Sequence, residues 1–255
     1  MDAPPTSTVR WLWTCSAERY FLVGTLAEAF VASEFFTDLS PPTRQRLIES
    51  ARPRTFQAGE LLFVEGESAA SFFLVISGRV RLIQHSLSGK DTTLAIFVPG
   101  DVIAFVVALT GDRYPGSAEA LEAVTAAQVP GTILWTVLAE CPALALRALK
   151  ITATRLHEAY ERIRELSAER VQQRIARTLL RLAQKVGVPE PNGALRLEMR
   201  LSRQDLAQMN GTTLESVSRT LSAWETTGIV SIGREWVTLL KPHELTGLAE
   251  DMPHQ

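Results

Sequence analysis

Glu215, Ser218 and Arg219 stand at i, i+3 and i+4 in the stretch GTTLESVSRTLSAWE, Gly211 to Glu225. On an α-helix that spacing puts all three side chains on one face. A carboxylate accepts hydrogen bonds, a guanidinium donates a rigid fork, and a hydroxyl does either. The fork matches O6 and N7 of guanine, and the carboxylate can accept from N4 of cytosine. The trio therefore has the chemistry to read base edges. Glu215 and Arg219 also have the spacing of a solvated ion pair, worth only a few tenths of a kcal/mol. The elements that carry them decide between the two.

Val217, Leu221 and Trp224 lie on the opposite face, as a packed helix requires. Thr212, three residues before Glu215, predicts a capping box, and Gly228 predicts the stop. Upstream, LSRQDLAQMNG has Ser202 three residues before Asp205, a looser capping box, and ends at Gly211. Ala207 is small where two helices would cross closely. Asn210 departs from the apolar residue expected just before the turn glycine. Downstream, IVSIGREWVTLL reads as two short strands around Gly233-Arg234. Two helices, a tight turn and a β-ribbon make a winged helix-turn-helix. The second helix of that motif enters the major groove by its N-terminal half, which favours base reading for Glu215, Ser218 and Arg219. Thr212, Thr213, Arg200, Arg203 and Arg234 are then the candidate phosphate contacts. Residues 195–241 hold six basic against five acidic side chains, so charge alone adds little.

The whole chain has 255 residues, 46% hydrophobic and 21% charged, with a formal net charge of -2. That is room for two domains and excludes a polybasic coat. Cys15 and Cys141 form neither a disulfide framework nor a Cys-x-x-Cys site, which fits a reduced, cytoplasmic setting. FLVGTLAEAFVASEFF (21–36) is broken by Glu28 and Glu34, so neither a membrane span nor a signal peptide is expected. Residues 1–24 have no clear pattern and read as an N-terminal extension. Residues 247–255 read as a tail.

Residues 25–52 carry a helical pattern, with Ser40 as N-cap and Pro41 at N1. From 55 to about 137 the texture changes to short β-branched and aromatic runs: ELLFVEGE, SFFLVISGRVRLIQ, TTLAIFVPGDVI and AAQVPGTILWTV. Runs of this length between glycine and polar breaks predict an all-β sandwich or barrel, placed at 25–142. A long helix follows over 143–168. Leu149, Ala153, Leu156, Tyr160 and Ile163 step by four and three, a short heptad-like seam with charged flanks. Periodicity alone leaves two readings open, a helix on its own domain or one facing a partner. The winged unit occupies 169–246.

This order resembles the CRP/FNR family of bacterial transcription regulators. AGELLFVEGESAASFFLVISGRVRLIQ is similar to the family's first half-roll, VPGDVIAF to its next turn, and TLESVSRTLSAWETTGIV to its recognition helix and wing. The resemblance covers about residues 30–246. It implies an α+β fold with an N-terminal cyclic-nucleotide-binding-like β-roll, a long dimerisation helix and a C-terminal winged helix-turn-helix. It also implies a cytoplasmic homodimer on double-stranded palindromic DNA, away from membranes, acting as an activator through RNA polymerase. Glu215-x-x-Ser218-Arg219 is similar to the FNR side of the family, which implies an inverted repeat near TTGAT-N4-ATCAA.

The sensor is less legible. Cyclic-nucleotide members bind phosphate with a Glu after a Gly and with an Arg before Ser-Ala. On that frame Phe105 takes the Glu position and Gly116 the Arg position, so cyclic AMP and cyclic GMP are not expected as effectors. Two cysteines cannot hold the four-iron cluster of the iron–sulfur branch. RYPGSAEAL and LALRALKITATRLHEAYERIRELS look like the DNR/NnrR group, whose members answer nitrogen oxides and in some cases bind haem. Haem needs an axial ligand; of His85, His157, His243 and His254, the first two are the candidates. No cofactor is certain, and a member without any effector stays equally open. A cupin-type metalloenzyme would need a cluster of histidines and carboxylates, and the roll offers His85 alone. No nucleophile is paired with a base, so no enzyme activity is expected.

Overall fold

In the computed structural model, residues 25–85 and 91–250 are described. The extension 1–24 with Cys15, the hairpin tip with Gly89, and the end of the tail with His254 lie outside them.

The described chain opens with α1 (Leu26–Ala32), a short 3-10 turn, and α2 (Pro41–Ser50). Ser40 caps α2 and proline occupies its first turn, as its sequence predicts. Eight strands follow: β1 (Arg52–Phe56), β2 (Leu61–Phe63), β3 (Ser71–Ser77), β4 (Val80–His85), β5 (Asp91–Phe97), β6 (Val102–Ile103), then helix α3 (Phe105–Thr110), β7 (Ser117–Ala120) and β8 (Val124–Pro130). They form two antiparallel sheets, ordered β1-β8-β3-β6 and β2-β7-β4-β5. Alternation along β3 divides its side chains between two cores. Phe73 and Val75 join Phe63, Val80, Phe97 and Ala126 between the sheets. Phe72, Leu74 and Ile76 point the other way, onto Phe30, Phe36, Leu47 and Leu144 of the flanking helical segments.

One expectation is corrected here, and one strand joins those the sequence runs predict. The run AAQVPGTILWTV is strand only as far as Pro130. Its second half is a 3-10 turn and helix α4 (Leu134–Glu140). Gly131 sits against the Ala108 carbonyl, 2.4 Å from where a Cβ would stand, and there the chain turns. Leu134 and Val137, three apart, then form the buried face, while Trp135 points to solvent. Conversely, SAEA within RYPGSAEAL is strand β7, pairing with both β2 and β4. Its small residues and its glutamate conceal it from a reading by β-propensity.

Helix α5 (Pro142–Ala168) is the longest element, with 27 residues. Extended backbone at Glu169 and Arg170 separates it from α6 (Val171–Val186). The Glu169 carboxylate takes hydrogen bonds from Arg164 at 3.2 Å and Arg177 at 3.1 Å across this joint. The C-terminal unit adds β9 (Gly187–Pro189), β10 (Leu195–Leu197), α7 (Arg203–Asn210), α8 (Leu214–Thr226), β11 (Val230–Ile232), β12 (Val237–Leu239) and α9 (Pro242–Glu250). The wing is thus part of a four-stranded sheet, β11-β12-β10-β9. Roll and C-terminal unit touch directly. Ile96 of β5 is buried in the C-terminal core, and its carbonyl accepts from Lys185 Nζ at 3.1 Å. Arg81 of β4 bridges Asp205 and Glu119, each at 3.0 Å.

Candidate nucleic-acid interface

Helix α7 starts at a complete capping box. The Ser202 hydroxyl accepts from the Asp205 N–H at 3.1 Å, and the Asp205 carboxylate accepts from the Ser202 N–H at 2.8 Å. Ala207 is buried at the crossing with α8. Gly211 has φ of +55°, the left-handed conformation that ends one helix and launches the next. The departure at Asn210 has a cause far along the chain. This fully buried amide accepts from the Thr178 hydroxyl at 2.9 Å and donates to the Leu206 carbonyl at 2.7 Å.

The cap of α8 lies one residue later than expected. Thr213 is the N-cap, and its hydroxyl accepts from the Ser216 N–H at 3.3 Å. Thr212 does not cap, because the chain is still leaving the left-handed turn when it passes that residue; its N–H goes back to the Ala207 carbonyl. Thr213 is thus committed to the helix start, and Thr212 stands half-exposed beside it.

Behind α8, Val217, Leu221 and Trp224 are buried as expected. In front, Glu215 and Arg219 are exposed and Ser218 is half-buried. Among the described residues no ion pair joins Glu215 to Arg219. The Glu215 carboxylate turns back on its own helix. Its backbone N–H and then the Thr213 hydroxyl hold it below the usual carboxylate range. The Arg219 guanidinium has no carboxylate partner among the described residues.

The other candidates surround this helix. Arg203 is exposed at the first position of α7, and Arg234 at the wing tip. Arg200 is largely exposed, its Nε 3.9 Å from Glu235. The wing turn runs Gly233–Trp236, with Trp236 over Gly233 so closely that a Cβ there would stand 1.9 Å from its indole nitrogen.

Along α5, Leu149, Leu156, Tyr160 and Ile163 are 65%, 53%, 62% and 61% exposed, and Ala153 is exposed among them. The adjoining face of α5, at Ala148, Ile151, Thr152 and Arg155, borders a cavity of about 710 Å³ against the roll. That size suits a small molecule. No histidine lines it. His85 Nδ1 lies 2.6 Å from Asp91 at the outer end of β4, and His157 is on the exposed surface of α5.

The positions that the resemblance matches to phosphate binding carry neither a carboxylate nor a guanidinium. Ala104 precedes Phe105 with φ of +63°, the one non-glycine residue with positive φ among those described. Phe105 packs edge-on against Phe35 and Phe72, with ring centroids 4.6 and 5.3 Å away. A Cβ on Gly116 would stand 2.7 Å from the Ile83 carbonyl oxygen. Among the described residues, no three His, Cys, Asp or Glu side chains are grouped to hold a metal ion. Among the described residues, no single helix is long and apolar enough to cross a membrane.

Comparison with known proteins agrees with both halves. Residues 53–141 match the family described as the cyclic nucleotide-binding domain, and 173–248 the Crp-like helix-turn-helix domain. The nitrogen fixation regulation protein FixK of Azorhizobium caulinodans is 30% identical over 189 residues, 74% of this chain and 75% of that protein. A CRP-like cAMP-activated global transcriptional regulator of Mycobacterium tuberculosis is 27% identical over 195 residues, 76% and 87% of the two chains. The structure of FixK2 from Bradyrhizobium japonicum superposes with a TM-score of 0.69 at 27% identity, covering 78% of this chain and 96% of that one.

Proposed function

Because this chain belongs to the CRP/FNR family of transcription regulators, we propose that it binds, as a homodimer, an inverted repeat near TTGAT-N4-ATCAA and activates transcription there with RNA polymerase. The observation that carries this is the outer face of α8. Arg219 is exposed with no carboxylate partner among the described residues, beside Glu215 and Ser218 on a helix anchored by Val217, Leu221 and Trp224. An unengaged fork is what a guanine edge requires. The exposed apolar seam of α5 supports the second copy, since a stripe of that kind is normally covered. A gel shift of the purified protein on this palindrome, against a scrambled duplex at low salt, tests the reading. Equal affinity for both duplexes would sink it.

We read the sensor as indifferent to cyclic nucleotides. Phe105 and Gly116 support this, because the matched positions offer no carboxylate, no cation and no room for one. A calorimetric titration with cyclic AMP and cyclic GMP is expected to give no binding heat. Haem fits this cavity poorly, because neither His85 nor His157 lines it. The cavity favours an apolar small molecule instead, seated between the roll and the dimerisation helix.

A further inference from the structure

Helix α7 ends where two other helices reach it. Its last carbonyls have no partner within the helix. Arg162 of α5 donates to the Met209 carbonyl, and Arg174 of α6 donates to the Asn210 carbonyl at 3.2 Å. Arg162 also donates to Thr178 Oγ1 and to Glu165 Oε2, each at 3.3 Å. Glu165 is 2% exposed and takes a further bond from Arg181 at 3.0 Å. Thr178 in turn holds Asn210. A chain of directional bonds therefore runs from the dimerisation helix to the residue before the Gly211 turn. Leu166 of α5 reaches that turn as well, 3.2 Å from where a Gly211 Cβ would stand.

Burying such charges costs several kcal/mol of hydration, and apolar side chains would hold these helices together as firmly. What the bonds add is a fixed angle, because a forked guanidinium on a carbonyl tolerates little rotation. We propose that Arg162 and Asn210 are positioning residues that set the angle between the dimerisation helix and the DNA-reading unit. They thereby set the half-site spacing that the dimer accepts. This rests on the reading of the chain as a DNA-binding homodimer.

The test is a gel shift of Arg162→Met and Asn210→Leu on inverted repeats with identical half-sites. Spacers are the optimum and one base pair shorter or longer, with a single half-site duplex beside them. Wild type is expected to prefer one spacer by roughly tenfold or more, about 1.4 kcal/mol. The variants are expected to lose affinity for that spacer and to discriminate by less than about threefold, while binding the single half-site as wild type does. Arg162→Lys keeps the charge without the fork and is expected to stay relaxed. Variants that keep the wild-type spacer preference, or lose affinity equally on every duplex, overturn the proposal. A wild-type protein that binds no repeat overturns the DNA-binding reading itself, and the proposal falls with it.

Discussion

Arg219 and Arg203 are both exposed arginines of the helix-turn-helix, and the proposed DNA complex assigns them different work. Arg219 projects from the front of α8 beside Glu215; Arg203 sits at the start of α7, where a backbone phosphate would pass. Arg219→Ala is expected to weaken the preferred site by about 1–3 kcal/mol and to relax base choice at one position. Arg203→Ala is expected to weaken all sequences alike and to reduce the salt dependence by about one counterion. Selection of bound duplexes from a randomised pool, repeated at two salt concentrations, separates them. An unchanged base preference in Arg219→Ala would falsify the base contact. Ala104 gives a prediction about stability. Its left-handed backbone costs an L residue about 1–2 kcal/mol, and glycine would recover part of that at some cost in chain entropy. Ala104→Gly is expected to stabilise the protein by about 0.5–1 kcal/mol, read as a higher urea midpoint with an unchanged slope.

Between elements, the joint of α5, α6 and α7 depends on one carboxylate. Burial works against the charge of Glu165, but the hydrogen bond and charge of Arg181, with Arg162 behind them, outweigh it and hold the carboxyl below its usual range. A lowered carboxylate pKa stabilises the fold fully above the unfolded value, about pH 4.3, and the contribution is lost as pH falls through the folded value. Glu165→Gln is therefore expected to cost about 1–3 kcal/mol at neutral pH, leaving Arg181 and Arg162 without their shared, hydrogen-bonded counter-charge. That difference should shrink below about pH 4.3, measured by urea unfolding across a pH series. A constant difference would place the effect in packing instead. This joint also marks where sequence reading stops. The faces of α8 were legible because Val217, Leu221 and Trp224 repeat at helical spacing. Its cap stands one residue beyond the one the sequence predicts because Thr212 and Thr213 are chemically alike, and only the Gly211 turn distinguishes them. Asn210 looked like a flaw in the motif because Thr178, its partner, lies 32 residues away. Contacts of that range leave no local pattern.

At the scale of the whole molecule, the order of roll, long helix and winged unit was legible, since each has its own texture. How they meet was not. The Arg81–Asp205 pair and the burial of Ile96 in the C-terminal core link residues that no periodicity connects. The proposed homodimer rests on the exposed seam of α5. Ile163→Glu, placing a charge at a position 61% exposed in the single chain, is expected to shift sedimentation toward monomer and to abolish binding to the palindrome. The roll sets a different kind of limit. Installing the phosphate-binding pattern that the resemblance implies takes three substitutions, and they are not equally reachable. Ala104→Gly relieves backbone strain and is accommodated without a clash. Phe105→Glu would put a carboxylate between the rings of Phe35 and Phe72. Gly116→Arg would collide with the Ile83 carbonyl. For descendants of this chain, gaining that pattern is therefore open at its first step and obstructed at the next two.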